Sequence, residues 1–214
     1  MNYKKLGIMM TLLSVAQSNA KPLTTKRTPA YAICPVFAHR WAPRSFSAEP
    51  ISQKELNFLF EAARWAPSSY NNQPWRFLYT RPDMYIWPTF VDLMVPANQV
   101  WASKAQVLVV VLSKKTFDHD GSFDRTHAFS TGAAVENMAL QAACMGIVVH
   151  GMAGFDYDKA RSELNVPDDY EVIAMLAIGK IGNKEDLPEH LQTWEQPSDR
   201  KSIDEIAWTG MFTN

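Results

Sequence analysis

Ala66-Pro-Ser-Ser-Tyr-Asn-Asn-Gln-Pro-Trp75 is a polar loop between a predicted helix and a predicted strand. Before it, Ser52-Gln-Lys-Glu55 has the pattern of a capping box, and the apolar residues that follow lie on one helix face until Pro67 ends the helix. After it, Trp75-Arg-Phe-Leu-Tyr79 alternates and is rich in aromatic residues, which is typical of a strand. The loop itself carries two serine hydroxyls and three side-chain amides.

The amides of this loop indicate a planar ligand. A side-chain amide offers a donor beside an acceptor, so several together match a ring edge that alternates carbonyl and N–H groups, such as the pyrimidine edge of a flavin. The ten residues resemble the flavin-binding loop of the nitroreductase family, the FMN-dependent NAD(P)H oxidoreductases. The resemblance implies that Ser68, Ser69 and Asn71 hold the ring edge and that Gln73 also binds the cofactor. A polar turn between two buried elements is the alternative interpretation.

The composition limits the classes of protein that fit. The chain has 214 residues, of which 47% are hydrophobic and 20% charged, which allows one sizeable core and argues against disorder. A formal net charge of -1 provides no electrostatic footprint for nucleic acid, so a small soluble ligand is the predicted partner. Cys34 and Cys144 lack metal-ligand spacing, and Cys144 lies among small apolar residues as if buried. We therefore predict neither a disulfide nor a metal site.

The first twenty residues have the layout of a secretory signal peptide. A basic start is followed by the apolar run Leu6 to Ala16 and by Ser18-Asn-Ala20, which fits a small-residue cleavage site. The apolar run is too short to span a bilayer, so no membrane partner is predicted. Export and a cytoplasmic location both stay open, and the cytoplasm is preferred because FMN is made and loaded there. We exclude residues 1–20 from the fold and predict one domain over residues 21–214.

Arg40-Trp-Ala-Pro-Arg-Ser-Phe46 places two guanidinium groups four residues apart. Arginine pairs bidentately with phosphate and stays charged, although two surface arginines are the alternative. The segment resembles the opening flavin-binding motif of the same family, Arg-Arg-Ser-x-Arg-x-Phe. The resemblance implies that Arg40 binds the phosphate and that Arg44 lies on the ribityl and pyrimidine side. Trp41 and Ala42 depart from the motif, so backbone contacts are expected at these two cofactor-binding positions.

Gly146 to Phe155 is predicted to form a strand that runs into a glycine-containing turn, where Gly154 permits a close approach to the backbone. Met152-Ala-Gly-Phe155 resembles the family segment whose backbone lies beside the flavin N5 atom. The resemblance implies that Ala153 and Gly154 contact the cofactor, with the Gly154 N–H facing N5. We predict that His150 is a packed or hydrogen-bonded strand residue rather than an acid.

In the C-terminal tail, Arg200 and Lys201 form a basic pair. A solvated pair is the usual interpretation, but the family has a basic pair here that reaches the FMN phosphate, and these two residues match it. The long helix predicted over about Thr126 to Met145 has small residues at helical spacing on a broad apolar surface. That surface suggests a second helix on its far side, as in the dimer interface of the family.

The resemblance implies an α+β sandwich with a central, mainly antiparallel sheet flanked by helices, in a domain-entwined homodimer that binds FMN at its interface. Independent patterns predict two short helices within residues 83–104, a strand over Val107 to Leu112 buried on both faces, a helix over Asp156 to Val166 and a strand over Tyr170 to Gly179. Residues 21–39 are predicted to form an irregular arm. The order of these elements fits the implied fold.

The activity implied by the resemblance is a two-step hydride transfer, from NADH or NADPH to FMN and then to a nitroaromatic, a quinone or a related electron-poor acceptor. Flavin performs this chemistry itself, so no side chain is predicted to be a catalytic acid or base. A Gly-x-Gly-x-x-Gly fingerprint is absent, and the choice between NADH and NADPH stays open. Two alternatives remain: a flavoenzyme of the same fold that dehalogenates or fragments flavin, or a non-catalytic binding protein whose flavin site has decayed.

Overall fold

The computed structural model describes residues 22–212, so the predicted signal segment, residues 1–20, lies outside the described residues. The helices and strands follow in chain order: α1 (Pro35–His39), α2 (Gln53–Arg64), β1 (Trp75–Thr80), α3 (Trp87–Leu93), α4 (Pro96–Ala102), β2 (Val107–Lys114), α5 (His127–Cys144), β3 (Ile147–Met152), α6 (Tyr157–Glu163), β4 (Tyr170–Lys180) and α7 (Glu189–Gln192). Single 3₁₀ turns lie at Ser69–Asn71, Lys184–Asp186 and Ile203–Glu205.

The four strands form one sheet in the order β1-β2-β4-β3, and each neighbouring pair is antiparallel. β2 and β4 therefore lie in the centre, and β1 and β3 are the two edges. The register pairs Trp75 with Ser113 across the first two strands and His150 with Ala177 across the last two. The predicted antiparallel sheet is confirmed.

Helices cover both faces of the sheet, and alternate side chains of each central strand enter two separate cores. On β2, Leu108 and Val110 belong to one core, and Val107, Val109 and Val111 belong to the other. The first core is completed by apolar residues of α3 and α4, and the second by apolar residues of α2 and α5. A strand buried on both faces has no polar alternation, so the continuous apolar run at Val107 to Leu112 is explained and its prediction confirmed.

Most of the predicted helices are present, and local sequence features explain where they begin. At the start of α2, the Ser52 side chain accepts from the Glu55 backbone while the Glu55 carboxylate accepts from the Ser52 backbone, so the capping box is present. Pro88 and Pro96 lie in the first turns of α3 and α4, where a proline loses no helical hydrogen bond. Among residues 22–212, no helix is long and apolar enough to cross a membrane.

Two expectations about the N-terminal part and the cysteines were wrong. Residues 35–39 form the short helix α1, with Pro35 in its first turn, instead of continuing an irregular arm. Cys144 is exposed rather than buried, because it lies on the side of α5 that points away from the sheet. Its neighbours Ala142 and Ala143 are the residues that face the cores.

The segment that carries Arg44 packs tightly against the chain after β4. Phe46 pairs with Ile181, and the Gly182 N–H donates to the Ser45 carbonyl at 3.0 Å. A Cβ atom at Gly182 would lie 2.6 Å from the carbonyl carbon and 2.7 Å from the carbonyl oxygen of Phe46. Only a glycine allows this approach of two backbones.

We therefore expect Gly182→Ala to lower the free energy of unfolding by about 1–3 kcal/mol, because backbone atoms cannot swing aside as a flexible side chain can. Urea denaturation followed by circular dichroism measures the change. Gly151→Ala is the matched control, since its Cβ would meet Leu176 at an ordinary 3.8 Å and should change stability by no more than about 1 kcal/mol. Equal stability of the two variants would contradict this explanation of the backbone approach.

Candidate functional site

Four arginines line one cavity of about 300 Å³: Arg27, Arg40, Arg44 and Arg200. Trp41, Ala42 and His150 line the same cavity. The structure thus brings together five of the predicted cofactor residues, those at positions 40, 41, 42, 44 and 200. They come from the loop after α1 and from the C-terminal tail, and strand β3 supplies the histidine.

In the part of the chain that the structure describes, few carboxylates offset the charge of these arginines. Arg40 Nε lies 3.4 Å from Glu136 Oε1, and the side chain of that glutamate is half exposed. Arg200 donates to the Ser198 hydroxyl at 3.1 Å and to backbone carbonyls beside it. Partial burial lowers the pKa of Arg27 most, and the nearby charges of Arg200 and Arg40 lower it further. A cavity lined by mutually repelling cations is stabilised by an anion, and a phosphate group suits guanidinium donors.

A buried glutamate holds the arginine-bearing loop in place. Glu195 is 8% exposed, and its carboxylate accepts from the backbone N–H groups of Arg44 and Ser45, each at 2.9 Å. The Ser45 hydroxyl donates to the same carboxylate at 2.9 Å. Glu195 lies 150 residues from Ser45 in the sequence, and no local pattern identified this contact.

An aromatic stack lies next to the cavity, where it contacts the lining residues His150 and Arg44. Phe46 stacks on the buried Trp101 with 6.2 Å between ring centroids, and the His150 ring lies 4.4 Å from the Trp101 centroid. The Arg44 guanidinium lies 5.9 Å from the Trp101 ring, within the range of a cation–π contact. His150 Nδ1 hydrogen-bonds the Pro43 carbonyl at 2.9 Å, so this nitrogen carries the proton. The prediction of a packed, hydrogen-bonded His150 is confirmed.

The polar loop before β1 is folded on itself. Ser68 Oγ accepts from the Gln73 N–H at 3.0 Å, and the Gln73 side chain donates to the Asn71 carbonyl at 3.0 Å. Three of its residues have positive φ, namely Tyr70 at 49°, Asn71 at 55° and Gln73 at 49°. Asn72 maintains this conformation, because its side chain donates to the Thr116 carbonyl and accepts from the Asp118 N–H.

A single chain does not join this loop to the arginine cavity. The loop, with Ser68, Ser69, Asn71 and Gln73, leads into edge strand β1, whereas the cavity lies beside edge strand β3. Three inter-strand spacings separate the edges, or about 14 Å. None of these four residues lines the cavity.

Gly154 follows β3, and its lack of a side chain has a structural cause. A Cβ there would lie 2.7 Å from Asn98 Nδ2, and that amide donates to the Gly154 carbonyl at 2.9 Å. The Val95 N–H donates to the same carbonyl at 3.1 Å. The glycine thus makes room for Asn98, while Ala153 beside it is exposed. Both residues follow β3, the edge strand whose His150 lines the cavity, and neither of them lines the cavity itself.

Lys201 does not line the arginine cavity. It lines a neighbouring groove together with Arg200, which lines both. Sequence patterns did not identify Arg27 or Glu195 as site residues. Among residues 22–212, no group of three or more histidine, cysteine or acidic side chains is arranged to hold a metal ion.

Comparison with known proteins identifies the family. The protein-family model described as "Nitroreductase family" matches residues 37–84 and 86–180 of this chain, which is more than half of its length. The chain belongs to the nitroreductase family. The predictions of this family and of an oxidoreductase are confirmed.

Individual relatives agree with this assignment. Protein DrgA of Synechocystis sp. is 31% identical over 167 residues, which is 64% of this chain and 77% of that protein. A Bacillus subtilis protein named "Putative NAD(P)H nitroreductase MhqN" is 27% identical over 178 residues, covering 68% of this chain and 86% of that protein. A solved structure described as "the oxidoreductase containing FMN" is 40% identical, covers 89% of this chain and 98% of its own, and superposes with a TM-score of 0.85.

We expect Glu195→Ala to lower the free energy of unfolding by about 2–4 kcal/mol, because two backbone N–H groups lose their buried acceptor. Glu195→Gln keeps one oxygen and should cost less. Denaturant unfolding measures both variants, with Glu189→Ala as the control, since this exposed glutamate lies on the adjacent helix α7 and should cost no more than about 0.5 kcal/mol. A Glu195→Ala variant as stable as the control would show that the loop is held by other contacts.

The lowered pKa of His150 makes the stability of the folded protein depend on pH. Burial lowers its pKa below the ordinary 6.5, with Arg44 lowering it further and Glu195 and the Pro43 carbonyl opposing the shift. The folded state therefore binds a proton on His150 less readily than the unfolded state does. The stability that the neutral histidine contributes is present above its ordinary pKa and is lost as the pH falls through the lowered value. His150→Gln should lose less stability than wild type between about pH 7.5 and about pH 5.

Urea denaturation across this pH range measures the difference, and His190→Gln is the control because that histidine is exposed on α7. The control should keep the wild-type pH profile. A His150→Gln profile identical to wild type would exclude His150 as the titrating group.

Proposed function

We propose that the chain is an FMN-dependent oxidoreductase that transfers a hydride from NADH or NADPH to nitroaromatic, quinone or related electron-poor acceptors. The convergence of Arg40, Arg44 and Arg200 on one cavity carries this proposal, because it forms a phosphate site where the family resemblance expects one. The 40% identical structure that contains FMN supports the same cofactor here. FMN supplies the hydride chemistry when bound, so the protein has to bind it and leave its reactive face open.

In this proposal the arginines bind the cofactor phosphate and the aromatic stack supports them. Arg40 uses Nε toward Glu136 and keeps its terminal N–H groups for phosphate oxygens. Arg200 approaches from the tail, and Arg44 covers the ribityl and pyrimidine side above Trp101. Trp41 and Ala42 line the cavity, so they are placed to contact the cofactor despite their departure from the family motif. Lys201 contributes long-range charge from the neighbouring groove.

The loop of residues 66–75, the ring-edge loop, is proposed to reach the cofactor from a second copy of the chain. Within one chain this loop lies at the sheet edge opposite to the arginine cavity. In a homodimer, Ser68, Ser69 and Asn71 of one copy would meet the cavity and the Gly154 N–H of the other. Exposed apolar side chains support such an interface, with Phe129 on α5 82% exposed and Met211 in the tail 85% exposed.

Mixed dimers test both the function and the two-chain site. Arg44→Gln removes the cavity side and Asn71→Ala removes the ring edge, so each variant alone should lose most of its FMN affinity and its NAD(P)H-dependent nitroreductase activity. When the two inactive variants are refolded together, half of the dimers combine one of each. One of the two sites in such a dimer carries both native residues, so about a quarter of the wild-type sites and activity should return.

Each variant refolded alone is the control and should stay inactive. If mixing restores nothing while the variants form mixed dimers, the site lies within one chain. A wild-type chain that binds no flavin and oxidises neither nucleotide would refute the proposed function itself.

A further inference from the structure

We infer that Arg27, from the chain before α1, is a phosphate-binding residue of the cofactor site, so that the N-terminal arm (residues 22–27) is part of this site. The inference rests on the proposed function and extends it to a residue that neither the motif nor the family match includes, since the match begins at residue 37. Its support lies in the position of Arg27, its unused hydrogen-bonding capacity and its charged neighbours.

The arm is attached to the body of the protein by specific contacts. The Leu23 N–H donates to the Ala143 carbonyl at 2.9 Å, and the Leu23 side chain is buried in the core. The Thr25 hydroxyl donates to the Ala38 carbonyl at 2.9 Å. These contacts carry the chain over the end of α1, where Arg27 lines the cavity together with Arg40 and Arg200.

Arg27 uses only part of its donor capacity. One terminal nitrogen donates to the Arg40 carbonyl at 2.9 Å and to the Ala38 carbonyl at 3.3 Å. Its Nε atom is buried and has no hydrogen-bond partner within residues 22–212. A buried donor without a partner is costly, and an anion in the cavity would offset that cost through its attraction to the guanidinium charge.

The charges around Arg27 define the kind of acceptor. Arg40 and Arg200 lie close enough to destabilise its positive charge, and Asp199 compensates in part. A phosphate dianion offsets repulsion among three guanidinium groups, and its several oxygens can accept from donors that approach from different directions. Uncharged riboflavin carries the same ring and ribityl chain without that group, so it separates phosphate binding from all other contacts.

Flavin titrations of the full-length apoprotein test the inference. Arg27→Gln should weaken FMN binding on the order of 10- to 100-fold, as expected for a lost charged hydrogen bond, and should change riboflavin binding less than about 2-fold. Lys26→Gln is the matched control, because it removes the same charge from the neighbouring residue, which is exposed and does not line the cavity. The control should bind both ligands like wild type.

Wild-type protein provides a second test that requires no variant to fold. Trypsin cuts after Lys26 and Arg27, and FMN should slow these cuts at least several-fold while riboflavin at equal saturation does not. An unchanged ratio of FMN to riboflavin affinity in Arg27→Gln, an equal loss for both ligands, or equal protection by both would overturn the inference. Failure of wild type to bind FMN would refute the proposed function as well, so the two failures are distinguishable.

Discussion

The candidate site depends on the buried carboxylate of Glu195. The loop that carries Arg40 and Arg44 has no regular secondary structure, and its backbone donors at Arg44 and Ser45 are bonded to this one side chain. Two strand-like contacts to the chain after β4 complete the attachment, through the Phe46–Ile181 pair and Gly182. An acidic acceptor suits this position, since its charge also offsets the guanidinium groups nearby. The tail that supplies Glu195 also supplies Arg200, so one segment both fixes and completes the cavity.

Several arginines in a small cavity destabilise the protein when no ligand is bound. This destabilisation makes the cavity selective for anions over neutral ligands. Arg27, Arg40 and Arg200 repel one another, and Asp199 and the half-exposed Glu136 compensate only in part. A neutral ligand of the same shape gains nothing from these charges, whereas an anion relieves the repulsion. His150 stays neutral beside Arg44 for the same reason, since a protonated ring would add a further buried cation.

Local patterns predicted the features that short stretches of chain determine, and they failed where distant segments meet. The capping box at Ser52 and the buried run of β2 were predicted because helix caps and strand burial are written in consecutive residues. Helix α1 has five residues, too few for a periodic signal. Glu195 resembled any surface acid in a Pro-containing tail, and its role arises from a contact 150 residues away. The resemblance named Arg40, Arg44 and Arg200, but their grouping with Arg27 required the folded chain.

The conformation of the ring-edge loop accounts for its separation from the arginine cavity. Positive φ at Tyr70, Asn71 and Gln73 is unfavourable for residues with a Cβ, yet Asn72 and the Ser68 hydroxyl hold the loop in this form without a ligand. Such strain is stable only against a rigid support, and β1 and the chain after β2 supply it at the edge away from the cavity. In the function proposed here, a strained, preorganised loop at one edge and a charged cavity at the other would complement each other between two copies of the chain. The sheet topology therefore makes dimerisation a condition of cofactor binding rather than an addition to it, in the function proposed here.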